Sequence, residues 1–257
     1  MNLKCYWVAF YTMLRKEILR FMRIWPQTLL PPAITTGLYF IIFGQFIGSQ
    51  LSTIHGYSYM QYIAPGLIMM TIITNAYANV STSFFINRFQ KSIEEVLVAP
   101  IPEFMILLGY TAGGIARGIA VGLVVAVIAF CFTHIHVQHP LLTLLIVMLC
   151  SVLFALAGFT NAIFAKKFDD IAIVPTFVLT PLTYLGGVFY SVAMLPPFWQ
   201  KISLANPILY IVDTFRYSIL GVSDINLSHA LSIILSFIGA LFLYNWYLLK
   251  KGVGIRS

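Results

Sequence analysis

Apolar residues run through the chain in long tracts separated by short polar breaks, and the tract lengths set the architecture. Between Arg23 and Arg88 there is no Asp, Glu, Lys or Arg. A membrane-spanning helix takes about 20 mostly apolar residues, so this stretch holds two spans, with the polar run from Gly48 to Ser58 as the turn between them. The pattern predicts span 1 over 27–47, span 2 over 59–86, span 3 over 104–132, span 4 over 141–165, span 5 over 171–195 and span 6 over 227–249. The first 25 residues follow another rule. Leu3, Trp7, Phe10, Leu14, Ile18, Phe21 and Trp25 recur at helical spacing, while Lys4, Thr12, Lys16, Arg20 and Arg23 fall on other faces. That is an amphipathic helix lying in the membrane interface. Its recurring charges leave no uninterrupted apolar stretch of the kind a signal peptide carries.

Residues 196–221 are apolar and aromatic but broken by Pro196, Pro197 and Pro207, with Asp213 and Arg216 inside the last piece. The piece after Pro207 is too short to span. It is expected to form a re-entrant or interfacial helical hairpin on the outer face, where broken backbone stays buried in protein. Asp213 and Arg216, three apart on one helix face, can pair, so their charges need not imply catalysis.

Composition places this pattern in lipid: 60% of residues are hydrophobic, 9% are charged and the mean hydropathy is +0.91, far outside soluble averages. The fold class read from the sequence is all-α, a polytopic membrane protein with six transmembrane helices, an N-terminal interface helix and an outer re-entrant hairpin before the last span. Six spans with short loops use up residues 1–257 as one domain and leave no room for a soluble catalytic domain. The net charge of +7 does not point to nucleic acid, because the basic residues sit beside apolar tracts rather than in one stripe. With the N-terminus inside, Lys4, Arg15, Lys16, Arg20, Arg23, Arg88, Lys91, Lys166, Lys167, Lys250, Lys251 and Arg256 are cytoplasmic, twelve of fifteen. Lys201 and Arg216 are left outside and Arg117 lies within the membrane, so the positive-inside rule puts both termini in the cytoplasm. Cys5, Cys131 and Cys150 are too far apart for a local metal site and read as small core residues. His134, His136 and His139 have zinc-like spacing but no thiol or carboxylate nearby, so no metal ligand is assigned.

Chemistry is sparse. The loop 87–104 is the most structured cytoplasmic loop, with Ser92 and Glu95 spaced for a capping box ahead of Ile93, Val96 and Leu97, and Pro100 limiting the other end. Arg88, Lys91, Glu94 and Glu95 against Phe89, Ile93 and Leu97 fit either a cleft on a soluble partner or an ordinary connecting helix. Thr71, Asn75 and Asn79 on span 2, and Thr176, Thr180 and Thr183 on span 5, are polar stripes that either bond between helices or line a substrate route. Gly114, Gly118 and Gly122 repeat a small-residue spacing that lets helices approach, within the chain or between copies. Arg117 needs an acceptor or a water-filled cavity. No Gly-Lys dipeptide occurs, so a phosphate-cradling loop ending in Gly-Lys-Ser/Thr is absent and any ATP hydrolysis belongs to another polypeptide. A self-sufficient secondary transporter would carry coupling carboxylates in its spans, and none is there. An intramembrane enzyme would need a nucleophile and base at depth, and no catalytic residue is assigned.

From span 5 onward one pattern links many separated positions: Leu179, Leu182, Leu185, Gly186 and Val188, then Leu195 and Pro196, then Pro207, Ile208 and Tyr210, and finally Arg216. In these residues, and along essentially its whole length, the chain resembles the ABC-2 type transport permeases. The resemblance implies a permease subunit of an ATP-driven exporter in a bacterial inner membrane, itself not an enzyme. It implies two ATP-binding subunits that carry the ATP and magnesium, and pairing with a second permease copy. It makes Arg88, Phe89, Gln90, Lys91, Ser92, Ile93, Glu94 and Glu95 a coupling helix that, with the N-terminal helix, receives the ATP-binding subunit. The outer hairpin would close the extracellular side of the route.

Overall fold

The computed structural model describes residues 3–43, 53–99 and 101–253. Sequence expectations for 44–52, Pro100 and Arg256, and for the side chains of Leu3, Cys5 and Leu97, lie outside the described residues. Among the described residues the regular secondary structure is helical, apart from an isolated bridge between Ile54 and Tyr57. The elements are α1 (Leu3–Arg23), α2 (Trp25–Phe40), α3 (Tyr59–Phe89), α4 (Ile93–Val98), α5 (Glu103–Thr133), α6 (Pro140–Phe164), α7 (Phe168–Val174), α8 (Thr180–Leu185), α9 (Pro197–Leu204), α10 (Pro207–Leu220) and α11 (Leu227–Lys251).

Five helical segments among the described residues are long and apolar enough to cross a membrane: α3, α5, α6, Phe168–Leu185 and α11. The described part of the predicted span 1 is α2, and its expected outer end falls in 44–47. Spans 2, 3, 4 and 6 match α3, α5, α6 and α11 to within three residues.

α3 is the hub, packed by α5, α6 and α10, with 78% of its most apolar window buried against 11% for α11. It begins at a capping box in which Ser58 Oγ accepts from Gln61 N and Gln61 Oε1 accepts from Ser58 N. Glycines set its close crossings. A Cβ on Gly158 of α6 would stand 2.4 Å from the Tyr77 carbonyl oxygen, and one on Gly114 of α5 would stand 2.7 Å from Val80 and 3.1 Å from the Ala76 carbonyl. Gly118 faces Ala76 and Ser151, and Gly122 faces Ile72. The glycine stripe of span 3 therefore packs within the chain.

Three expectations are corrected, and α1 adds a contact that the sequence did not show: Trp7 is 68% exposed, whereas Met13, Glu17 and Phe21 turn inward. Gly109 and Gly113 of α5 admit this helix, and a Cβ there would stand 2.8 Å from Met13 and 2.5 Å from Glu17. Packing against a glycine groove, which periodicity does not register, chose the face. Span 5 is not one helix to residue 195. Pro175 opens a π-helical turn, Pro175–Leu179, closed by Thr180 N donating to the Pro175 carbonyl, and Pro181 follows in α8. Helix ends at Leu185, and Gly187 turns the chain with φ +71°. Ser92 forms no capping box. It has helical backbone angles, φ −67° and ψ −15°, whereas a cap needs an extended residue, and its hydroxyl turns back to Asn87. Asp213 and Arg216 do not pair, for reasons given below.

Candidate functional site

The face predicted to be cytoplasmic is assembled around Asn87, near the end of α3. Its Oδ1 accepts from Lys16 Nζ of α1 at 3.3 Å and from Ser92 Oγ at 3.2 Å, and its Nδ2 donates to Tyr110 Oη of α5 at 2.7 Å. One amide thus joins α1, α3, α5 and the turn into α4. Arg88 donates to the carbonyls of Ile163 and Ala165 at the end of α6, where free carbonyls favour a cation. Phe89 stacks against Phe85 and Phe168, and Ile93 is buried beneath α4. Gln90, Lys91, Glu94 and Glu95 remain exposed, followed by Val98, 86% exposed. Of the eight residues read as a coupling surface, Arg88, Phe89, Ser92 and Ile93 anchor the turn to the helices, and the other four point away. Between α1 and α4 lies an apolar groove of ≈ 640 Å³, with Val8, Thr12 and Met13 on one wall, Val96 on the other, and Lys16 and Glu95 at its rim.

Behind α1 sits a buried charge cluster that sequence reasoning missed. Glu17 Oε1 accepts from Ser83 Oγ at 2.6 Å and Oε2 pairs with Arg20 at 3.2 Å, while Arg20 Nη2 also donates to Asn79 Oδ1 at 2.7 Å. A signal was available: Glu17 is the only acidic residue before Glu94, set among five basic residues.

On the face predicted to be outer, α9 and α10 form a helical hairpin. Asn206 caps α10 by accepting from Ile208 N, and its Nδ2 donates to the Leu182 carbonyl at 2.5 Å. A Cβ on Gly186 would meet Ile208 at 2.6 Å, Tyr210 Oη donates to the Leu204 carbonyl at 2.6 Å, and Val188 packs over Gly66. Arg216 is 2% exposed and donates to the carbonyls of Gly187, at 2.6 Å, and Tyr62, at 3.3 Å, with its guanidinium 4.0 Å from the Tyr62 ring centroid. Asp213 instead accepts from Ser223 Oγ at 2.6 Å and from the amides of Asp224 and Ile225. Each charge has backbone partners on its own side, which leaves no pair to form. Gly186, Val188, Pro207, Ile208, Tyr210 and Arg216, scattered over 31 positions from 186 to 216, thus fasten one structure. Leu179 is buried under it, Leu182, Leu185 and Leu195 are half-buried, and Pro196 precedes α9 as its cap.

A sequence model of the ABC-2 type transporter family matches residues 8–220. The chain belongs to the ABC-2 type transporter family. It is 56% identical over 252 residues to the inner membrane transport permease YadH of Escherichia coli strain K12, covering 98% of each chain. It is 23% identical over 215 residues to nodulation protein J of Rhizobium leguminosarum bv. viciae, covering 83% of each. To nodulation protein J of Neorhizobium galegae it is 24% identical over 241 residues, covering 93% of this chain and 87% of that one. Family membership makes this chain a multi-pass membrane permease of an ABC transporter and implies association with an ABC ATP-binding subunit.

Within this ABC-2 permease the polar stripes divide. On α3 the Thr71 hydroxyl donates to the Leu67 and Ile68 carbonyls, Asn75 Nδ2 to the Thr71 carbonyl, and Asn79 is engaged by Arg20. Thr71, Thr74, Ala78 and Thr82 are the partly exposed edge of this otherwise buried helix. On the span-5 segment Thr183 is buried and donates to the Leu179 carbonyl, whereas Thr176 and Thr180 are exposed. His139 stacks on Tyr217 and its amide donates to the Ser218 carbonyl, which ties the outer loop to α10.

Proposed function

We propose that this chain is the membrane-spanning permease subunit of an ATP-driven exporter in a bacterial inner membrane, with six spans and both termini in the cytoplasm. Two copies pair, and two ATP-binding subunits that hold ATP and magnesium dock on the cytoplasmic face. The observation that carries the reading is the exposed set Gln90, Lys91, Glu94 and Glu95 beside the apolar groove between α1 and α4. An apolar groove with charged residues at its rim suits a soluble partner. Asn87 links that turn to α1, α3 and α5, so a push on α4 reaches the helices rather than a loose loop.

The route is proposed to run along Thr71 of α3 and Thr176 and Thr180 of the span-5 segment, with the buried Asn75 and Thr183 behind them. Exposed hydroxyls on a membrane-crossing helix are disfavoured against lipid tails. They suit a second copy or an aqueous passage. The α9–α10 hairpin closes the outer end as a re-entrant element, held by Arg216 and Asp213.

The test is co-purification with the ATP-binding protein encoded beside this reading frame, recognised by G-x-x-x-x-G-K-[ST]. The double variant Glu94→Lys, Glu95→Lys is expected to weaken the complex at least tenfold and to uncouple ATP turnover from the permease. Intact binding with unchanged turnover would remove the coupling assignment.

A further inference from the structure

The Glu17 cluster contains more positive charge than it neutralises. Glu17 is committed to Arg20 and Ser83, and Arg117 lies one helical turn beyond Gly113, the residue that Glu17 packs against. Arg117 Nε is buried without a hydrogen-bond partner, as is Asn79 Nδ2. The charge that bears on Arg117 is Arg20, of the same sign. The other acidic residues, Glu94, Glu95, Glu103, Asp169, Asp170, Asp213 and Asp224, all lie at the ends of the helices or in loops and the outer hairpin. A second copy has the same sequence and so brings no spare carboxylate to this level either. One carboxylate, committed to Arg20 and Ser83, thus leaves Arg117 without a counter-charge in a place where donors outnumber acceptors, an arrangement that calls for an oxygen-rich anion from elsewhere.

We propose that Arg20 and Arg117 form a binding site for a phosphate group, with Glu17 and Asn79 holding Arg20 in position. Arg20 and Arg117 are both partly exposed, which leaves a ligand access to them. Depth favours a phospholipid of the inner leaflet as the source. α3 and α5 are each 31 residues long, about 46 Å against a hydrocarbon core of about 30 Å. Asn79 is ten residues from Phe89 (89 − 79), about 15 Å from that end of α3, and Arg117 is fourteen residues from Glu103 (117 − 103), about 21 Å from that end of α5. With about 8 Å of each helix outside the hydrocarbon, Asn79 lies about 7 Å and the Arg117 backbone about 13 Å inside its inner edge, and the Arg117 side chain leans back toward the N-terminal end of α5, so a headgroup is reached by snorkelling. The lipid source rests on the inward orientation proposed above, whereas the phosphate chemistry does not.

The test is thermal unfolding of the purified full chain in detergent with three probes: phosphatidylglycerol, diacylglycerol with the same tails, and inorganic phosphate at matched ionic strength. Phosphatidylglycerol at saturating concentration is expected to raise Tm by about 5 °C, and diacylglycerol to leave it unchanged. Arg117→Gln is expected to lose the shift and Arg117→Lys to keep part of it. If Arg117→Gln does not fold, Arg20→Gln is compared with the parent by native mass spectrometry, with loss of phospholipid adducts expected. An equal shift from inorganic phosphate assigns the site to soluble phosphate compounds rather than lipid. Equal shifts from diacylglycerol and phosphatidylglycerol, or an undiminished shift in Arg117→Gln, overturn the site.

Discussion

Glu17, 2% exposed, holds Ser83 of α3 with one carboxylate oxygen and Arg20 with the other. Removing the acid leaves a guanidinium partly buried against α3 with no counter-charge, and breaking such a pair costs about 3 kcal/mol. Glu17→Ala is therefore expected to lower Tm markedly, measured by unfolding of the detergent-purified chain. Glu17→Gln, which still accepts from Ser83, is expected to lose less. A Tm unchanged in both variants would mean that the cluster adds nothing to stability. The lone acid was visible in the sequence, but its burial was not, because helical periodicity assigns faces by hydropathy and a satisfied ion pair defeats that assignment. Asn87 was equally invisible: an amide that bonds to Lys16, Ser92 and Tyr110 looks in sequence like any polar residue near a helix end.

At the level of elements, the helices that meet α3 do so through missing side chains. Gly158→Ala would place a methyl 2.4 Å from the Tyr77 carbonyl, a backbone atom that cannot rotate away. Overpacking of this kind costs about 3 kcal/mol, and expression of folded protein followed by size-exclusion chromatography is expected to show a destabilised or aggregated variant. Gly37→Ala in α2, where nothing lies within 4 Å, is the control and is expected to be neutral or mildly stabilising. Similar behaviour of the two variants would refute the close α3–α6 crossing. The existence and type of these helices were legible from tract length. The break in span 5 was only half legible: Pro175 and Pro181 were in view, but the π turn and the stop at Gly187 depend on how α8 meets Ile208 and Leu209 of α10.

For the whole molecule, the distribution of basic residues predicts an orientation that chemistry can check. In a background lacking native cysteines, His134→Cys and Lys201→Cys are expected to react with a membrane-impermeant maleimide added outside the cell, and Lys91→Cys is expected not to. Labelling at 91 from outside would reverse the topology, and with it the docking face.

By itself the sequence determined that the chain lives in lipid, where four of its long apolar helices fall and which family it belongs to, since these follow from the length, hydropathy and spacing of residues along one dimension. The family signature could be read there as a list of positions but not as a device. Only the tertiary structure decided that Gly186, Ile208 and Arg216 clamp the α9–α10 hairpin, that Asp213 and Arg216 take separate hydrogen-bond partners, and that α1 buries a charged edge. The reason is the same in each case: a charged or polar group takes the partner that folding brings within hydrogen-bond distance, and carbonyls of Gly187 and Tyr62, distant in sequence, outcompeted the neighbour one helical turn away.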